Sequence, residues 1–502
     1  MRTCAIREVP GIPPHSSTAG SPGWGFVRRI AAGFLLGSVL SGCSVDQPEP
    51  EPIPARPALP IRVLVVDDPG LAEAIERQWR ARAETEIELI EATGEQLLDT
   101  QQAGIAADAV IYPSGMLGEL AERRRITPLP PREVNSPEFG RRDIFDLIRQ
   151  QEIVWGRQVY AVPLGSPVLT LIYRRDLFDA LELEPPATWD EYQQLAVILS
   201  DPAIWERMQE SPPQDWWGVA EPLGPGWASQ VLLARAAAYA RHRNYFSSLF
   251  DAETMEALIA GPPFVRALEE LVEATGAAGA RMLDYGPQQA FQTLLDGRSA
   301  LCIAWPSSAY ASAEPESTPL ANMGYAELPG SGEVYNPSSQ QWQDRERTEG
   351  HHATLLSVAG RVGSVSSASR QPQAAVSLLI NLASTDWSEQ ISPYSPATTV
   401  FRQSQLAGVG NWLGRDVDAA TARQYAEVVE QSHRRALWLS LRIPGRARYL
   451  EVLDQAIERV IRGEVAPAEA LSQAAGVWDE MTAEMGVDRQ RVAYWRSQGM
   501  EP

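Results

Sequence analysis

The stretch IRVLVV at residues 61–66 constrains this chain more than any other part of it. A near-continuous apolar run of that length marks a strand buried on both faces. Asp67, Asp68, Pro69 and Gly70 then turn the chain, and Leu71, Ile75 and Trp79 recur at spacing four on one helical face. Further strands are expected at 86–90 and 109–112. A helix is expected over 116–124, with arginines in its last turn, where cations favour the helix dipole. Strand and helix alternate, which predicts an α/β fold on a mostly parallel sheet. At 502 residues the chain needs more than one core, because single cores stop growing near about 250–300 residues.

Another apolar strand is expected at 168–173 (VLTLIY), followed by helical periodicity to about residue 274. Residues 301–304 read as a short strand ending at Trp305, and 355–358 as a further apolar stretch. Residues 312–349 are polar and rich in Pro, Gly and Ser, so they read as mostly loop. A closing helix carries Leu450, Leu453, Ile457 and Ile461 on one face; Gly463 ends it, and Pro467 opens another. No internal repeat occurs.

Several kinds of chemistry are excluded by composition. All 43 basic residues are arginine, so there is no lysine for a Schiff base or a Walker A phosphate loop. A net charge of −21 repels nucleic acid and anionic membrane surfaces. The three cysteines, Cys4, Cys43 and Cys302, cannot build a disulfide framework, and no metal site is expected from them and five histidines. His351-His352 reads as a solvated loop pair, and Cys302 as a buried thiol in an apolar strand. Adjacent carboxylates at Glu269-Glu270 do not face one another on a helix, so no acid/base pair is expected and the chain does not read as an enzyme.

The N-terminus reads as an address. Arg28-Arg29 precede an apolar run at 30–40, too short to span a bilayer but suited to a signal peptide. The run ends in Leu40, Ser41, Gly42 and Cys43, which resembles the bacterial lipobox, whose cysteine is acylated after cleavage. The expectation is a signal peptide over 1–42, lipidation at Cys43, and a membrane contact through that anchor only. Residues 47–60 hold six prolines in fourteen positions, an extended tether of roughly 40 Å.

Several stretches together resemble the bacterial extracellular solute-binding proteins of the family that includes maltose-binding protein. Residues 160–196 (YAVPLGSPVLTLIYRRDLFDALELEPPATWDEYQQLA) look like that family's first inter-lobe crossing, and 290–305 (AFQTLLDGRSALCIAW) like its helix, Gly-x-x-Ala strand and aromatic. Residues 325–329 are similar to its strand ending at Leu-Pro, 364–384 to the helix after its Ser-x-x-x-x-Pro turn, and 462–478 to its C-terminal Glu-Ala-Leu helices. The matches run in the family's order over about residues 61–480, although the loop at 331–349 is longer and the lysines usual after the first strand are absent. The resemblance implies a two-lobed, periplasmic-binding-protein-like α/β fold with hinge-crossing strands, closing on a ligand between the lobes. It places one lobe at 61–164 and 357–410 and the other at 165–356 and 411–502. It also implies a monomeric receptor in the periplasm or cell envelope, without a cofactor, that hands a neutral sugar or oligosaccharide to an ABC transporter permease.

Open α/β sheets bind ligands beyond the carboxyl ends of their strands. Asp67 and Asp68 stand there after the first strand, as hydroxyl acceptors or, Asp68 especially, as a helix cap. Tyr112 and Ser114 follow the third strand, and Ser166 lies at the crossing. By resemblance, Glu221 would bond a sugar hydroxyl and Trp227 would stack on the ring. Trp305 and Tyr449 complete the set of ligand candidates, with core packing as the competing role for Trp305. The rival functions are a sensor or scavenging module without transport, a surface glycosidase, and a scaffold whose cleft no longer binds.

Overall fold

The computed structural model describes residues 59–501 except 84, 100–103, 209–210, 212, 246, 311–319, 347–350, 357 and 415–416. The expected signal peptide, Cys43 and nearly all of the tether lie outside the described residues.

Strand β1 (Ile61–Val66) buries Ile61, Val63, Val65 and Val66. Helix α1 (Pro69–Arg82) starts where Asp68 accepts a bond from the Leu71 N–H and proline occupies the first turn. Leu71, Ile75 and Trp79 are buried, as their spacing predicts. Strands β2 (Ile87–Ala92) and β3 (Ala109–Pro113) flank β1 in parallel. Helix α2 (Leu117–Glu122) follows β3 almost at once. Next in the chain come β4 (Thr170–Arg174), α3 (Trp189–Ser200), β5 (Trp217–Ala220), α4 (Ala228–Ala240), α5 (Pro262–Thr275), β6 (Ser299–Ala304), β7 (Met323–Glu327) and β8 (Arg361–Ser366). Helices α6 (Arg446–Ile461) and α7 (Pro467–Met485) lie near the C-terminus, with Gly463 in the left-handed region between them.

The strands form two main sheets. The first runs β2-β1-β3-β8 and then the short strand Ile126–Thr127, with Val162–Gly165 also pairing β8. The second runs β7-β4-β6-β5, with β6 buried along its whole length at the centre. Neither is mostly parallel, contrary to the sequence-based expectation. β8 reaches the first sheet from the far half of the chain and lies antiparallel to β3, and β4 lies antiparallel to β6 and β7. Local strand-helix alternation fixes parallel pairing only among neighbours such as β1, β2 and β3.

Within the polar stretch 312–349, the described residues 320–346 are more ordered than a loop. They contain β7 and a hairpin, Glu333–Asn336 with Gln341–Asp344. Trp342 sets its ring 5.8 Å from Tyr239 on α4, and Arg266 on α5 bonds Glu333 at 2.9 Å. Four-residue strands that bury one aromatic against a helix leave little periodicity to read.

His433 is a buried base without a hydrogen-bond partner among the described residues. It is 3 % exposed, stacks on Phe145 at 4.2 Å, and neither ring nitrogen has a hydrogen bond. Burial alone pushes its pKa down to about 3. The folded protein therefore keeps the ring neutral while the unfolded chain protonates it below its ordinary value of 6.5. Stability is lost as pH falls through that window, by about 1.4 kcal/mol per pH unit from this group. Urea titrations at pH 7 and pH 5 are expected to show His433→Leu losing about 2 kcal/mol less than the parent between those values.

Candidate functional site

The carboxyl end of β1 carries two acids with different roles. Asp67 is exposed, adopts a left-handed φ of 50° and accepts the Gly94 N–H at 3.0 Å. Asp68 is buried: one oxygen caps α1 at 3.1 Å, and the other lies 3.0 Å from Arg361 Nε and accepts the Ser395 hydroxyl. Arg361 also donates to the carbonyls of Asp67 at 2.8 Å and Ala359 at 3.1 Å. Burial lowers the Arg361 pKa, and the negative charge of Asp68 works against that shift. Asp68 is thus the structural cap, and Asp67 is the acid left facing solvent.

Beyond β3, Tyr112 is buried with its hydroxyl 2.8 Å from Ser364 Oγ, which donates to the Tyr160 carbonyl. Burial raises its pKa. Ser114 is buried too, and its Oγ has no hydrogen-bond partner among the described residues. Ser166 donates to Glu152. Ser114 and Glu152, the partner of Ser166, meet at Gly360, where a Cβ would lie 3.0 Å from the Gly165 carbonyl, 3.1 Å from Ser114 Oγ and 3.2 Å from Glu152 Oε1. Any side chain there would crowd the Ser114 hydroxyl and the Glu152 carboxylate.

The second sheet contributes an aromatic pair. Trp305 follows β6, is 1 % exposed and donates from Nε1 to the Pro396 carbonyl at 2.8 Å. Trp227 is half-buried at the start of α4, with its ring 5.6 Å from that of Trp305. Pro396 follows Ser395, the partner of Asp68, so one dipeptide links the β1 end to Trp305.

Two expected contacts occupy the core instead. Glu221 is 0 % exposed, with Arg235 Nη2 at 2.8 and 2.9 Å from its two oxygens and the Tyr192 hydroxyl donating at 2.8 Å. Arg235 lies over the Trp189 ring at 4.1 Å, completing the enclosure. Tyr449 is buried against Phe250 and Trp478, with its hydroxyl 2.8 Å from Thr482. Their residue types fit a sugar site, but internal partners take up their polar atoms.

Arg446 is the residue that the sequence reading passed over. It opens α6 and packs on Gly115, where a Cβ would lie 2.7 Å from its Nε. That Nε is buried without a hydrogen bond among the described residues. Burial lowers the Arg446 pKa to about 10, against the charges of Asp454 and Glu119. Gly445 and Ala447, on either side of it, line a cavity of about 450 Å³ together with Leu98, Glu119, Arg123 and Met485. Neither Trp227 nor Trp305 lines this cavity. The sequence singles out the aromatic Tyr449 on the same helix rather than the arginine at its tip.

Among the described residues no group of three or more His, Cys, Asp or Glu is placed to hold a metal ion. His351 and His352 instead face the carbonyls of Ser331 and Leu328 at 3.3 and 2.9 Å.

The Glu221–Arg235 pair yields a stability prediction. Removing one partner of a buried ion pair strands the other charge, at a cost of about 3–5 kcal/mol. Arg235→Met is expected to lower the denaturation free energy by that amount in guanidinium titrations. Arg235→Met combined with Glu221→Leu is expected to recover most of the loss.

Residues 67–389 match the bacterial extracellular solute-binding protein family. No curated protein matches the chain in sequence. Among solved structures, a solute-binding protein of an ABC transporter from Agrobacterium radiobacter K84, in complex with ribitol, is 18% identical. That alignment covers 84% of this chain and 99% of that one, at a TM-score of 0.61. A maltose-bound protein of T. maritima is 15% identical over 84% of this chain and 100% of its own, at 0.61. A tagatose-bound ABC solute-binding protein from Thermotoga lettingae TMO is 16% identical over 84% and 100%, at 0.63. The fold is the two-lobed α/β fold of these proteins, and the chain belongs to the bacterial extracellular solute-binding protein family.

Proposed function

We propose that the chain is a lipid-anchored receptor that captures a sugar, oligosaccharide or polyol between its lobes and delivers it to an ABC transporter permease. The observation that carries this reading is the Trp227–Trp305 pair, set within one dipeptide of the Asp68–Arg361 ion pair. Aromatic faces suit the C–H face of a pyranose, and charged or hydroxyl groups at the edge suit its hydroxyls. The structural neighbours named above hold ribitol, maltose and tagatose, all neutral polyhydroxy compounds. The two sheets support one lobe at 61–164 and 357–410 and a second at 165–356 and 411–502.

Trp305 is 1 % exposed, so a ligand reaches it only when the lobes separate. Reclosure around the ligand then presents both lobes together to the permease. Asp67, Ser114, Ser166, Trp227, Trp305 and Arg446 are the proposed contacts. Asp68 and Tyr112 would hold them in place rather than touch sugar. No helix among the described residues is long and apolar enough to cross a membrane. Membrane attachment is assigned to acylated Cys43, and the body would act outside the cytoplasmic membrane. Binding is reversible, with no chemical step.

A thermal-shift screen against mono- and oligosaccharides, polyols, amino acids and peptides tests the reading. A carbohydrate at about 100 times its dissociation constant is expected to add about 2.7 kcal/mol, with the same compound recovered intact. Stabilisation by amino acids or peptides alone would overturn it. Calorimetric titration of Trp227→Ala is expected to show binding weakened roughly tenfold or more with little loss of stability. Trp305→Ala is expected to weaken binding as much and also to lower the melting temperature, because its ring is buried.

A further inference from the structure

Away from the aromatic pair, two adjoining surface cavities of about 690 and 610 Å³ share Asn135, Arg141 and Gln150. Together they form one groove. Four arginines line it, Arg141, Arg142, Arg149 and Arg157, on a chain whose net charge is −21. Asp143 is the single acid in the lining, and its oxygens are already used. They accept from the Ser404 N–H at 2.9 Å and the Ser404 hydroxyl at 2.6 Å, with Arg402 at 3.5 Å.

The arginines themselves are poorly satisfied. Arg149 pairs with Asp146 through one Nη at 2.7 Å, but its Nε is buried without a hydrogen-bond partner among the described residues. Arg141 makes one long bond, 3.3 Å, to the Arg149 carbonyl. No acid pairs with Arg141, Arg142 or Arg157 among the described residues. Burial lowers the Arg141 pKa, and the positive charge of Arg149 adds to that shift. Like-charged guanidinium groups held together with free N–H donors are stabilised by an anion that accepts from several of them.

Arg149 stands on a five-residue π-helical turn, Ile148–Glu152, a rare element that often marks functional sites. The last residue of the same turn, Glu152, faces inward and accepts from Ser166. The groove arginine and the proposed cleft serine therefore share one local element.

We propose that this groove is a second binding site, for a compact phosphate- or sulfate-type oxyanion held by Arg141, Arg142 and Arg149. The oxyanion is either free in solution or the headgroup of a lipid. The assignment does not depend on the carbohydrate reading of the cleft.

The full chain would be titrated calorimetrically with sodium phosphate and, at matched ionic strength, with sodium chloride. A saturable phosphate isotherm absent with chloride is expected, with a melting temperature a few degrees above the chloride control. Arg141→Gln with Arg149→Gln is expected to weaken binding at least tenfold. Arg142→Glu, at an exposed position, is expected to weaken it comparably. Arg80→Gln, on the surface of α1, is expected to leave it unchanged. Sedimentation with phosphatidylglycerol vesicles separates the two sources: binding lost in Arg142→Glu, without a response to free phosphate, assigns the site to a lipid headgroup. A phosphate response no larger than that to chloride, together with no vesicle binding, overturns the proposal. So does a response that the groove variants leave intact.

Discussion

The Asp68–Arg361 ion pair holds together parts of the chain that are nearly three hundred residues apart. Asp68 starts α1 by capping it, while its second oxygen fixes Arg361 at the head of β8. Arg361 in turn holds the carbonyl of Asp67, so the turn after β1 cannot move without β8. The Ser395 hydroxyl closes the same carboxylate, and Pro396 next to it receives the Trp305 N–H. The end of the first sheet and the aromatic edge of the second are thus tied through one buried charge pair. Such a pair contributes modestly to net stability, but it fixes which groups meet.

Much of the fold was legible because its signals are local. The apolar run of β1, the Asp-Pro turn and the four-residue spacing of α1 report on neighbours in sequence. Gly463 and Pro467 marked the break between α6 and α7 for the same reason. Pairing partners from distant segments were not legible, so the antiparallel entry of β8 and the hairpin near Trp342 came only with the structure. The same limit governs the site. Trp305 and Trp227 were singled out separately, and their proximity is a tertiary fact. Glu221 had the right type and position in sequence, but nothing in its surroundings there announced Arg235, fourteen residues on across α4. Arg446 was missed because a lone arginine at a helix start carries no signal until Gly115 is seen against it.

Exclusive use of arginine shapes the interior as well as the surface. Arg402 is buried and donates to the carbonyls of Phe139 at 2.8 Å and Ala383 at 2.6 Å. Arg442, equally buried, joins the Glu152 carbonyl at 2.9 Å to that of Ser497 at 2.7 Å. Each guanidinium serves as a cross-brace between backbone segments from different parts of the chain. A lysine ammonium, a compact point charge, could not span two carbonyls with the same planar fork. A compositional bias thus becomes a construction principle of the core.

Cys302 lies at the centre of β6, buried on both faces, and is the one free cysteine among the described residues. Burial raises its pKa well above the usual range, which keeps it in the unreactive thiol form. The folded body therefore has no sulfur pair to join. In an oxidising compartment its maturation would need neither a disulfide-forming oxidase nor an isomerase to correct errors. The slow disulfide-shuffling steps that delay many exported proteins do not arise in its folding there.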